Sequence, residues 1–383
     1  MTPTSISCAM LCLLTVLLAA TPSPAAQLAV ADTDTAGAGT VRTFTVSAPW
    51  PERKPPLAVG GDAVLATHGN KLYVLSTREA TLHVIARRDW EVRRTIALPE
   101  GSEPLDIVIV SRRRAYVTTR RGTHLLHVNP RSGAIREAVD FSIFADDDGV
   151  PDLGRMLVDG TRLFVQVRRA NEFAVGGFAA PAFLGVVDLT TETLLDVDAV
   201  APGVQAIQLE GTAAKARMQK RPDTNELIVS ASGGFFDEGG LERVDLDTLS
   251  SLGLAIAEHD GLIGADLGPF VLLDSDRGYL VYSTDLTLSS HLQPFSFERG
   301  VGEGQNLDVS VEYAVPAMAY DSGTGFLFSP EAPDKPIGVH VFDTESDTRL
   351  SETPLATTGR PTDVLLLAPA RAASRKGRHP REP

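Results

Sequence analysis

One short phrase recurs along the chain, an apolar triplet placed just after a polar turn and followed directly by Ser or Thr in three of its seven copies. The copies are Leu28-Ala29-Val30, Leu72-Tyr73-Val74, Ala115-Tyr116-Val117, Leu163-Phe164-Val165, Leu227-Ile228-Val229, Tyr279-Leu280-Val281 and Phe326-Leu327-Phe328. The first two intervals are 44 and 43 residues, and the rest run from 47 to 64. A period near 45 that leaves room for several short strands per unit is the spacing of β-propeller blades. The repeat therefore accounts for most of the chain as scaffold and leaves few residues to specify chemistry.

The unit over residues 104–142 shows how each blade is written. Pro104-Leu105-Asp106 opens an apolar run from Ile107 to Val110, Ser111 to Arg114 turns, and Ala115 to Thr118 is the second strand. Leu125 to Val128 is the third strand, Asn129-Pro130-Arg131-Ser132-Gly133 turns, and Ile135 to Phe141 is the fourth. Asp, Asn, Ser and Gly stand where tight or positive-φ geometry is needed. Third strands end repeatedly in Asp or Asn, as at Asp188, Asp245 and Asp343, where the side chain can accept backbone amides of the turn. Thr362 to Leu367 reads as a first strand with nothing after it. Gln27 to Val30 and Thr40 to Val46 read as later strands with no first strand before them. The expected fold is all-β, a seven-bladed β-propeller closed by pairing N- and C-terminal strands in one blade, which removes the exposed edges of an open array. The unit over 153–215 is the least regular, with no clear strands after Val200, and Glu210 to Arg217 could form one short helix.

The two ends fall outside this pattern. Ala9 to Ala20 is a 12-residue apolar run, too short for a bilayer, which takes roughly 20 residues. Small residues follow it through Ala26, so residues 1–26 are expected to be a secretory signal peptide and the protein to be periplasmic or secreted. Both cysteines, Cys8 and Cys12, lie in that segment, so the remainder has no disulfide, thiolate nucleophile or cysteine metal site. Residues 27–370 form a single expected domain, and residues 371–383, with five basic residues and one acidic, a disordered basic tail. The net charge of −14 argues against nucleic-acid binding. No later segment is apolar enough for a transmembrane helix.

Tyr116-Val117-Thr118-Thr119 resembles the YVTN motif with Thr in place of its final Asn. Pro near the first strand, that motif, and then a third strand ending in Val-Asp complete the likeness to the YVTN-repeat seven-bladed propellers, which include exported and surface-layer-associated proteins. The resemblance spans about residues 27–370. It implies the fold and carries no catalytic set.

Function concentrates where loops are elaborated over a rigid scaffold. Arg168 to Phe183 and Ser232 to Gly240 join second to third strands, while Phe144 to Asp152 and Glu298 to Asp308 are read as links from a fourth strand to the next blade. Such loops share one face of a propeller, so the ligand is expected there, near the mouth of the central channel. Asp106, Asp152, Asp266 and Asp363 recur near the starts of first strands and are channel-mouth candidates, either as metal ligands, as in propeller lactonases, or as caps on backbone amides. Asp146, Asp147 and Asp148, followed by Gly149, are candidate ligands for calcium or another divalent cation, although the EF-hand spacing fails. The histidines, His340 among them, are scattered over different blades and suggest no site. Gly300 to Gly304 lacks the strand-turn-helix setting of a phosphate loop. Twelve arginines within residues 78–136 lie mostly in turns and could meet an anionic glycan or lipid headgroup. Two functions follow. One is a non-enzymatic binding module for an envelope protein, glycan or small molecule. The other is a metal-dependent lactonase- or lyase-like enzyme with an acidic channel-mouth site. Convergence of at least three channel-mouth carboxylates or amides within metal-bonding distance of one point separates them.

Overall fold

The computed structural model describes residues 26–369, apart from 170–180, 212, 215, 233–238, 259–265, 284–288, 302–305, 312 and 332–336. Most of the segment expected to be a leader and all of the expected basic tail therefore lie outside the described residues. So do most of the two loops that join second to third strands at 168–183 and 232–240.

Seven antiparallel sheets form seven blades. Each copy of the recurring triplet falls in a second strand: Gln27–Thr33, Lys71–Ser76, Arg114–Thr119, Arg162–Val167, Glu226–Ser232, Arg277–Ser283 and Phe326–Glu331. The reason is visible in the packing. A second strand is covered on both faces, so it is apolar throughout instead of alternating. Leu72 and Val74 pack with Ala29 and Ala31 of the preceding blade, whereas Tyr73 and Leu75 pack with Ile107 and Val117 of the following one. Seven such buried clusters occur among the described residues, one at each junction between neighbouring blades.

The ring closes as the terminal sequences imply. The C-terminal strand Arg360–Leu367 is the inner strand of the first blade, and Gln27–Thr33, Gly39–Thr45 and Glu52–Ala58 follow it outward. Its register sets Leu366 opposite Leu28 and Asp363 opposite Ala31. The approach is tight at Gly359, where a Cβ would fall 2.1 Å from the Thr33 carbonyl oxygen. Buried Asp32 anchors the same segment by accepting the Thr358 amide at 2.8 Å and pairing with Arg42 at 3.2 Å.

Turn chemistry repeats with the strands. Asp188 accepts the Thr190 amide, Asp245 accepts those of Asp247 and Thr248, and Asp343 accepts that of Glu345. These bonds hold the Asp188 and Asp245 carboxyls below their ordinary range, and at Asp343 the Ser346 hydroxyl, followed by the Glu345 amide, does the same. The last residue of these third-to-fourth turns is left-handed, with φ of 56° at Glu192 and 53° at Asp347. Both also receive a tyrosine from the blade before: Tyr116 Oη donates to Glu192 at 2.6 Å, and Tyr279 Oη donates to Asp347. The tyrosine of a second strand thus ties its blade to the next blade's turn.

Three expectations need correction. The 298–308 segment does not link blades 6 and 7. Gly300–Val301 and Asp308–Ser310 both pair with the third strand Ser290–Ser296, so the segment interrupts the outer strand of blade 6. Ala213–Ala214 pairs as strand with Ser232 and Ala231, in place of the expected helix, and no helix occurs among the described residues of 210–217. In the fourth blade the outer strand is split into Thr193–Leu194 and Ile207–Gln208. Between these pieces Asp196 and Asp198 accept backbone amides of a loop that leaves Val200 96% exposed. Among the described residues no helix is long and apolar enough to cross a membrane.

Candidate functional site

The inner strands begin at one end of the ring and line the channel. At their starts is a cavity of about 900 Å3, lined by Asp34, Asp62, Arg78, Arg155, Tyr313 and Arg360 among others. Deeper along the same strands lies a second cavity of about 330 Å3, bordered by Leu65, Asp106, Met156, Arg217 and Leu365.

Between the two cavities lies a layer of charge. Asp363 of blade 1 accepts the Leu65 amide of blade 2 at 2.7 Å and pairs with Arg217. Arg217 comes from blade 5, so it crosses the channel, and it also donates to the Leu65 carbonyl at 2.9 Å. Asp106 of blade 3 accepts the Met156 amide of blade 4 at 2.8 Å and lies 3.4 Å from Arg155. Burial pushes the Asp363 carboxyl up, against the pull of Arg217.

The sequence candidates therefore have distinct surroundings. Asp106 and Asp363 are buried, and each binds a backbone amide of the next blade and an arginine. Asp152 is buried, with φ of 50°, beside Arg168. Burial and the neighbouring Arg120 and Arg155 lower the pKa of Arg168, and Asp152 opposes that shift. Asp266 opens its strand opposite Ser283, and its side chain lies outside the described residues. In the acidic run, Asp146 accepts the Asp148 amide at 3.1 Å, and Asp148 accepts the Val150 amide at 2.7 Å. Burial and the neighbouring Asp148 push the Asp146 carboxyl up.

Among the described residues, one group of three His, Asp or Glu side chains brings its ligand atoms within 4.8 Å of one another, and it is none of these. It consists of Asp308, Glu331 and His340, at the junction of blades 6 and 7. Asp308 stands in the returning piece of blade 6's outer strand, opposite Leu292. Glu331 ends the second strand of blade 7, and His340 lies in its third strand, opposite Ser329. His340 Nε2 contacts Glu331 Oε2, and His340 Nδ1 lies 3.0 Å from Ser351 Oγ. Burial, reinforced by the Glu331 charge, raises the Asp308 carboxyl above its ordinary range. Sequence reasoning missed this group because its members are 23 and 9 residues apart on three strands of two blades. Only the folded register assembles it.

No protein-family model and no curated protein matches the chain. Solved structures do resemble it. Apo AztD from Citrobacter koseri superposes with a TM-score of 0.54 at 13% identity, covering 90% of this chain and 98% of that one. The Cps50 (Swd1) β-propeller domain from Myceliophteria thermophila gives 0.53 at 9% identity, covering 81% and 93%. Kuenenia stuttgartiensis hydrazine synthase gives 0.50 at 11% identity, covering 72% and 74%. At such identities the likeness establishes the propeller fold alone.

Proposed function

We propose that this is a non-enzymatic binding propeller, exported to the periplasm or beyond, whose small anionic ligand seats in the cavity at the channel mouth. One observation carries the reading: in a chain of net charge −14, a mouth cavity of about 900 Å3 is lined by three arginines, Arg78, Arg155 and Arg360, against two carboxylates, Asp34 and Asp62. A concave site of this size suits a small molecule. Cationic side chains in an acidic protein select for carboxylate or phosphate groups. Support for the lactonase-like alternative is lacking at Asp106 and Asp363, whose oxygens already hold an amide and an arginine each. The likeness to YVTN-repeat propellers is compatible with this reading and adds no ligand.

Isothermal titration with citrate, succinate and inorganic phosphate tests it. At least one anion is expected to bind one per chain and to bind at least tenfold more weakly to the Arg78→Glu and Arg360→Glu variants. Binding that is indifferent to both reversals, or absent for all three anions, would overturn the assignment.

A further inference from the structure

We propose that Asp308, Glu331 and His340 form a binding site for a divalent transition ion of the zinc class, off the channel axis between blades 6 and 7. The three potential ligand atoms lie within 4.8 Å of one another. Ligands at about 2.0–2.2 Å from a shared zinc ion are separated by at most about 4.4 Å, so small side-chain adjustments complete the geometry. The site is built from both sides of a junction. Register places His340 opposite Ser329, and Glu331 is two residues on, so His340 and Glu331 share one face of blade 7. Asp308 meets that face from blade 6.

A second observation points to a cation as the ligand of this group. Glu331 and His340 are only 8% and 4% exposed. Glu331 Oε2 is buried without a hydrogen-bond donor, although it contacts His340 Nε2. Ser351 Oγ accepts the Val341 amide at 3.0 Å and lies 3.0 Å from His340 Nδ1. As part of the proposal the imidazole proton is placed on Nδ1, where it donates to Ser351 Oγ. Bare Nε2 then confronts a carboxylate oxygen, an arrangement that an ion between them resolves. Ser351 is thus a positioning residue, which fixes ring orientation and tautomer behind the ligand.

The donor set selects the ion. An imidazole nitrogen with two carboxylates suits zinc and its neighbours better than calcium or magnesium, which prefer oxygen alone. Three protein ligands leave a fourth position for water or an incoming group. Arg349 stands 3.9 Å from Asp308 at the rim and gives it a counter-charge there. This site does not depend on the channel-mouth reading, since it shares none of the arginines named there.

The test strips the purified full chain with a chelator and titrates zinc in competition with a chromophoric chelator. One zinc per chain is expected. Asp308→Asn, Glu331→Gln and His340→Gln should each weaken binding at least tenfold, while Asp148→Asn leaves it unchanged. Cobalt(II) bound to the wild-type protein provides a readout independent of whether variants fold: the visible bands of a low-coordinate site with a nitrogen ligand are expected. No stoichiometric zinc, zinc binding untouched by all three substitutions, or a cobalt spectrum like that of the aquo ion would each overturn the proposal. The three residues would then be a buried ion pair with an adjacent acid.

Discussion

Replacing Asp363 by alanine should unfasten the closure of the ring. The Asp363 side chain is 4% exposed, accepts the Leu65 amide at 2.7 Å and pairs with Arg217 from across the channel. Alanine leaves a buried N–H without an acceptor, at about 1–3 kcal/mol, and removes a hydrogen bond between charged groups of about 1.5–3 kcal/mol. Together the loss is about 3–5 kcal/mol, in line with breaking one partner out of a buried ion pair. Unfolding entropy of roughly 2.1 cal/mol/K per residue over about 340 residues gives about 0.7 kcal/mol/K, so Tm should fall by roughly 4–7 °C. Asp363→Asn separates charge from shape. It keeps an oxygen for Leu65 and Arg217, and burial already holds the native carboxyl above its ordinary range. The folded state therefore binds this proton more tightly than the unfolded state. Its contribution to stability falls as pH rises from about 3.8 through the raised folded value, and is level above it. The asparagine variant should accordingly lose only about 1 kcal/mol at neutral pH and gain on the wild type as pH rises through that window. Calorimetric melts between pH 4 and 8 read both effects. An alanine variant within about 1 °C of wild type, or an asparagine variant as damaged as the alanine one, would refute the argument.

Three further outcomes follow from the blade-to-blade ties and the turns. Tyr116→Phe and Tyr279→Phe each remove a hydrogen bond to a carboxylate on the next blade, so each should cost about 1.5–3 kcal/mol, or roughly 2–4 °C in Tm. The two sites lie at different junctions, so the double variant should lose the sum within about 0.5 kcal/mol in the same melts, and a markedly smaller loss would deny two independent ties. The turn aspartates Asp188 and Asp245 have carboxyls lowered chiefly by turn amides, and Asp343 by the Ser346 hydroxyl and then a turn amide, so their stabilisation is present above about pH 4 and is lost as pH falls through the folded values. A triple asparagine variant should melt below the wild type at pH 6 and converge with it near pH 2; a constant gap would contradict the assignment.

The fold was legible because the second strands carry a signal that few other elements share. Covered on both faces, they read as unbroken apolar triplets, and their spacing counts the blades. Outer strands such as Glu91–Ala97 are largely exposed, follow no strict alternation, and can be placed only by their distance from the triplets. The fourth blade was obscure for a related reason: its outer strand is two short pieces around a loop held by Asp196 and Asp198, and neither piece is long enough to show a period. The channel aspartates were legible as positions and not as partners. Arg217, which reaches Asp363, comes from a segment whose sequence suggested a helix, and nothing in local spacing links residues 146 apart.

The location of the three-ligand group follows from the same topology. A regular outer strand would run past its neighbour with no reason to place a carboxylate against the next blade. In blade 6 that strand breaks after Val301 and resumes at Asp308, which re-pairs opposite Leu292, near the end of the third strand where the long loops emerge. In blade 7 the second strand ends in Glu331 at the corresponding end, and His340 is two residues into the third strand. The interruption therefore sets a carboxylate against an imidazole and a second carboxylate at a single junction. The same irregularity that hid the outer strand from sequence reasoning is what assembles the candidate metal site.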